Sequence, residues 1–146
     1  MTPLQQLIMH QEGTGPMARG RFFPYQDSVG KWTIGYGRNL TDNGLSKDEV
    51  LALLSSDLAD AVDDVRHCFS CYDTLSETRQ MVLVSLAFNL GRARLAGFVR
   101  FIGAVHRSAW DEAAEELLDS KAAKTQAAPR YHELARMMRT DTSEWI

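Results

Sequence analysis

From His10 to Leu40 the chain abandons the helical spacing that governs most of its remaining length, and this stretch limits its architecture more than any other feature. Asp27-Ser28-Val29-Gly30 reads as a hairpin turn, and Trp32-Thr33-Ile34-Gly35-Tyr36 reads as a strand. Residues 13–24, rich in glycine, arginine and proline, read as a loop. On both sides the pattern is helical. Leu4, Leu7, Ile8 and Gln11 follow helical spacing up to Gly13, a natural stop, and everything after Asn43-Gly44 reads as helix. The expected class is α+β, with a small β region set early into a mainly helical protein.

Ser46-Lys47-Asp48-Glu49 is a capping-box pattern. It opens a long helix with Val50, Leu53, Leu54, Leu58, Ala61, Val62 and Val65 on one face and Asp57, Asp60, Asp63 and Asp64 on the other. Such a helix, solvated on one side, suits a connection between two lobes. A second capping pattern, Thr74-Leu75-Ser76-Glu77, opens a helix through Met81, Val82, Val84, Leu86 and Phe88 that is apolar nearly all round and ends at Gly91. Further helices are expected over Phe98–His106, from a cap at Ser108 to about Asp119, and from Pro129 through Tyr131, Leu134, Met137 and Met138. Trp110, Phe98 and Phe88 read as core. The whole reads as a single domain over residues 1–146. Its β-rich lobe spans about 13–45, its connecting helix about 46–66, and its helical lobe residues 1–12 plus about 66–146.

A net charge of −3 argues against a general nucleic-acid binder. The charge is uneven, with nine acids against two bases from Thr41 to Glu77 and five bases against one acid from Lys121 to Arg139. A polar, partly negative substrate is drawn to the C-terminal part. Mean hydropathy is −0.26, and no apolar run approaches the roughly 20 residues of a membrane span. The N-terminus lacks the basic start and apolar stretch of a signal peptide, so none is expected. Cys68 and Cys71 form a lone Cys-x-x-Cys that His67 does not complete into a zinc set, and no metal site is expected. The reading is two structural thiols, with a disulfide formed after export as the alternative.

Two carboxylates brought together from different elements suit cleavage of a glycosidic bond. One protonates the leaving oxygen while the other stabilises the developing cation or activates water. Glu12 and Asp27 are the candidates. Most glutamates are solvated surface acids, but a carboxyl held against apolar walls at the end of the first helix would suit a general acid. Asp27 has an ordinary role as a turn former that accepts backbone N–H groups, and the two roles are compatible. Thr33, six residues after Asp27, is either a plain strand former or a hydroxyl facing the same cleft, able to hold a water. Gly35 and Gly37 flank Tyr36, marking either a bend or a place where a sugar lies against the backbone. Arg130, just after Pro129, is either solvated or placed to pair with a carboxylate.

The motifs Glu12-Gly13, Tyr25-Gln26-Asp27-Ser28-Val29-Gly30 and Thr33-Ile34-Gly35-Tyr36-Gly37 resemble the active-site segment of the T4-type phage lysozymes, the endolysin muramidases of glycoside hydrolase family 24. Phe88-Asn89-Leu90-Gly91, Leu95-Ala96-Gly97-Phe98 and Ala109-Trp110-Asp111-Glu112-Ala113-Ala114 resemble the helical lobe of that family in the same order, so the likeness spans nearly the whole chain. It implies a lysozyme-like fold, a small N-terminal β-hairpin lobe joined by a long helix to a larger helical lobe, with substrate bound between the lobes. It implies Glu12 as general acid, Asp27 as charge stabiliser or water positioner and Thr33 as holder of the water. Gly35, Tyr36, Asn89 and Arg130 would contact substrate, with Arg130 pairing with the acid.

The implied reaction is hydrolysis of the β-1,4 bond between N-acetylmuramic acid and N-acetylglucosamine in peptidoglycan, without a cofactor, by a monomer. Peptidoglycan glycan strands would be the partner, with a holin for export from the host cytoplasm to the periplasmic face of the wall. The rivals are a lytic transglycosylase or chitinase-like enzyme using Glu12 alone, and an inactive wall-binding module. The chain departs from the family pattern in the fourteen residues between Glu12 and Asp27, a longer loop than usual, in Arg38, where many relatives carry histidine, and in the register around Arg130.

Overall fold

Thr2 and Gln5 set the first helix by capping each other. The Thr2 hydroxyl accepts the Gln5 N–H at 3.1 Å, and the Gln5 side-chain carbonyl accepts the Thr2 N–H at 2.7 Å. Pro3 fits the first helical position, where no donor is needed. The resulting α1 (Pro3–Glu12) closes at Gly13, whose N–H donates to the Met9 carbonyl. These features come from a computed structural model that describes residues 1–125 and 127–144. The chain forms two compact units, Met1–Ala52 and Leu53–Ile146, and α1 belongs to the first.

The segment expected to be loop holds a two-stranded hairpin, β1 (Met17–Ala18) with β2 (Arg21–Phe22), registered Met17 to Phe22 and Ala18 to Arg21. Arg19 and Gly20 form its tip at φ of 52° and 73°. Two central residues at positive φ match the right-handed twist of flanking strands and give the tightest hairpin connection. Next come β3 (Tyr25–Gln26), β4 (Trp32–Ile34) and β5 (Arg38–Asn39), an antiparallel sheet with β4 in the middle. Thr33 pairs with Tyr25 on one side and Asn39 on the other. The strand expected over Trp32–Tyr36 is shorter, because Gly35, Tyr36 and Gly37 form the turn into β5. Asn39 then caps the short α2 (Leu40–Asn43) by accepting the Asp42 N–H.

The capping box at Ser46 is formed as expected. The Glu49 N–H donates to Ser46 Oγ at 3.3 Å and Glu49 Oε2 accepts the Ser46 N–H at 2.7 Å, opening α3 (Lys47–Cys68). Its apolar face is less buried than the spacing suggested. Ala61 and Val65 are buried, whereas Val50, Leu53, Leu54 and Leu58 are exposed.

The second unit carries the core. After a single 3-10 turn at Tyr72–Thr74 come α4 (Glu77–Ala96), α5 (Val99–His106), α6 (Trp110–Asp119) and, beyond another 3-10 turn, α7 (Ala128–Thr140). Val65, Phe69, Val82, Leu86, Phe101 and Tyr131 are among the buried side chains that pack these elements, with Phe69 and Phe101 edge-to-face at 6.0 Å. One clamp joins three helices. Arg79 of α4 lies over the Trp110 ring of α6 at 3.9 Å, donates to the Met138 carbonyl of α7 and pairs with Asp141, which also accepts from Ser76.

Three helix boundaries differ from expectation. The cap of α4 is Ser76 and not Thr74, whose hydroxyl donates to the Cys71 carbonyl instead. Gly91, expected to end that helix, breaks it at φ 75°, ψ 166°, and the helix resumes to Ala96. Ser108 does not cap α6. It sits left-handed at φ 56° and ends α5, its N–H bonded to the Val105 carbonyl and that of Ala109 to the Ala104 carbonyl. Cys68 and Cys71 are free, half-buried thiols whose pKa values burial pushes up. Among the described residues no single helix is long and apolar enough to cross a membrane.

Candidate active site

In the first unit the turn at Asp27 positions one of the two carboxylates. Asp27 Oδ1 accepts the N–H groups of Val29 at 3.0 Å and Lys31 at 2.8 Å, while its backbone carbonyl accepts the Gly30 N–H. These bonds fold the link between β3 and β4 and fix the carboxylate by one oxygen. Lys31 turns its ammonium to Asp42 at 2.9 Å, and each holds the other charged: the hydrogen bond raises the lysine pKa and lowers the aspartate pKa.

Thr33, at the centre of the sheet, is the one buried polar side chain of this unit among the described residues, 5% exposed. Its hydroxyl donates to the Lys31 carbonyl at 3.1 Å, so what it can offer a water is the lone pairs of Oγ1.

Glu12, the last residue of α1, reaches the next turn of the same sheet. A methyl group added at Gly37 would stand 3.5 Å from Glu12 Oε2. The carboxylate therefore lies beside the Gly35-Tyr36-Gly37 turn, at ordinary van der Waals distance from where a Gly37 side chain would begin. The apolar walls expected around Glu12 are not seen in this unit. The side chain is exposed, because α1 buries none of its residues. The loop between the two acids is anchored at Gly15, where a Cβ would strike the Tyr25 ring. The sheet and the end of α1 thus bring Glu12, Asp27, Thr33, Gly35 and Tyr36 into one small unit.

Asn89 and Arg130 belong to the second unit. Asn89 is exposed on α4, two residues before the Gly91 break. Arg130, exposed in the first turn of α7, borders a groove of about 590 Å³ with Leu58, Met81, Val84 and Phe88. Phe88, expected in the core, is half exposed at this groove. A cavity of about 770 Å³ in the same unit, between Phe98, Arg100, Glu116 and Lys121, involves none of the candidate residues.

Arg38, the departure from the family's histidine, has a structural partner. It forms a two-armed pair with Glu49, which with the Ser46 N–H holds the Glu49 carboxyl down to about 2. Sequence reading missed the β1–β2 hairpin. Its signal was the Arg19-Gly20 pair, a two-residue tip with glycine second.

Comparison with known proteins bears on this arrangement. A family profile described as phage lysozyme matches residues 19–134, a span that includes Asp27, Thr33, Asn89 and Arg130 and begins after Glu12. A probable T4-type lysozyme 2 of Dictyostelium discoideum is 22% identical over 171 aligned positions, covering 97% of this chain and 96% of its own.

Proposed function

Because the chain belongs to the phage lysozyme family, we propose that it hydrolyses the β-1,4 bond between N-acetylmuramic acid and N-acetylglucosamine in peptidoglycan. The observation that carries this reading is the Glu12 carboxylate lying beside Gly37, one turn along the sheet from Asp27 and Thr33. Glu12 in its protonated form gives its proton to the glycosidic oxygen as the C–O bond breaks. Asp27, tethered through Oδ1, faces the developing oxocarbenium charge with its negative charge. Water then adds to the anomeric carbon, and its proton returns a carboxylate to the acid form. Thr33 Oγ1 accepts a hydrogen bond from that water. Gly35 and Tyr36 offer backbone and ring to the sugar. In this role the protein acts as an endolysin on the wall of a host cell, reaching it through a holin.

The test is mass spectrometry of purified peptidoglycan after digestion. Reducing muramic acid ends are expected. Anhydro ends would mean transglycosylation instead, and no cleavage with retained binding would mean an inactive wall-binding module. Glu12→Gln should lower the rate of end release by about a hundredfold to ten-thousandfold, the scale of a lost proton donor, while leaving the melting temperature unchanged.

A further inference from the structure

We propose that the β1–β2 hairpin is a sugar-binding wall of the active site, with Met17, Phe22 and Tyr36 forming an apolar face that stacks a ring of the glycan strand beside the bond being cut. This rests on the lysozyme reading and extends it to residues that the reading did not include.

The hairpin lies in the long loop between Glu12 and Asp27. Met17 and Phe22 are directly paired across its two strands and so project from the same face. The Phe22 ring stands 5.7 Å from the Tyr36 ring at 60°. Burial normally claims such side chains, yet Met17 is 48%, Phe22 37% and Tyr36 36% exposed. Three adjacent apolar side chains left this exposed offer a surface on which an apolar ligand face can rest.

Continuity with the acid names the occupant. Tyr36 sits between Gly35 and Gly37, and Glu12 Oε2 lies 3.5 Å from where a Cβ on Gly37 would stand. A ring resting on Phe22 and Tyr36 is therefore one residue away from the group that protonates the leaving oxygen. A hexose presents an apolar C–H face to an aromatic ring, and the next sugar of the same strand meets this surface first. The hairpin itself is closed by the Phe23 N–H donating to the Pro16 carbonyl at 3.0 Å, so the face is held by backbone bonds and does not depend on the Phe22 side chain.

The experiment compares the full chain with Phe22→Ala and Phe22→Tyr on purified, peptide-free glycan strands, reading reducing ends. Phe22→Ala is expected to raise KM about tenfold, the scale of one aromatic contact, with kcat within a factor of about two and an unchanged melting temperature. Phe22→Tyr should restore the wild-type KM. An unchanged KM in Phe22→Ala overturns the proposal while leaving the lysozyme reading in place, and so does a loss confined to kcat. Should Phe22→Ala melt early, Met17→Ser is decisive by the same KM criterion. If the wild-type chain releases no ends from these strands, the lysozyme reading falls and this one with it. Binding of the hairpin face to a protein with no response to glycan also overturns it.

Discussion

Tyr131 is the bulkiest of the fully buried side chains, and its hydroxyl has no hydrogen-bond partner among the described residues. Burial also pushes its phenol pKa up. The ring earns its place by packing, while the oxygen has given up water without replacement, which costs about 1–3 kcal/mol for a group of this kind. Tyr131→Phe keeps the packing and removes the orphan, so it should raise unfolding free energy by about 1 kcal/mol; a urea titration with unchanged m-value checks this, and a loss of stability would reveal a buried water on the hydroxyl. Asp27 poses a different problem, since one side chain has a structural task and, on the proposed function, a chemical one as well. Asn can accept the Val29 and Lys31 N–H groups through its own oxygen, so Asp27→Asn should melt near wild type while losing most lytic rate. Asp27→Ala leaves both donors without their acceptor and should also cost about 1–2 kcal/mol. If Asp27→Asn keeps its rate, Glu12 works alone and the turn is the whole purpose of the residue. The turn at Asp27 was legible in the sequence because glycines and a turn-forming aspartate carry local geometry with them. Glu12's neighbour was not, because nothing in the spacing says that the end of α1 comes beside Gly37.

Among elements, the reading succeeded where a residue's partners did not compete. Ser46 and Glu49 cap α3 because the Glu49 carboxylate can accept the Ser46 N–H and the Arg38 guanidinium together, so its second partner does not displace the first. It failed where they did. Ser108 is used to terminate α5 before it can begin α6, and Thr74 spends its hydroxyl on the Cys71 carbonyl, passing the cap of α4 to Ser76. The β1–β2 strands escaped notice because two residues each are too few to show alternation. The start of α3 is also where pH acts. Arg38 and the Ser46 N–H stabilise the ionised Glu49, whose pKa falls from 4.5 to about 2. A carboxyl depressed on folding contributes stability that is present above its unfolded pKa and lost as pH falls through the folded one. The melting temperature of the wild type should therefore fall relative to that of Glu49→Gln between about pH 4.5 and pH 2, and the dependence should weaken in 1 M salt because the pair is exposed. Parallel curves for the two proteins over that range would show that Arg38 contributes nothing through this carboxylate.

On the scale of the whole molecule, burial is distributed unequally. Every buried apolar residue among those described lies at Ala61 or later, while the first unit buries only Thr33. Since apolar burial at about 25 cal/mol per Å² dominates the favourable side of folding, the second unit holds most of the stabilising surface. The first unit is held by short strand pairs, tight turns and exposed ion pairs such as Lys31 with Asp42, each worth little. Regions with few buried contacts open at lower free energy than the global transition. Native-state hydrogen exchange should show the amides of β3 to β5 opening at a free energy several kcal/mol below that of Val82, Leu86 and Met138, whose helices carry the core. Their opening should respond weakly to urea, as expected when little surface is exposed. If the strand amides instead exchange only with the core, at the same free energy and the same urea dependence, the two units unfold as one cooperative body and a separately yielding first unit is wrong.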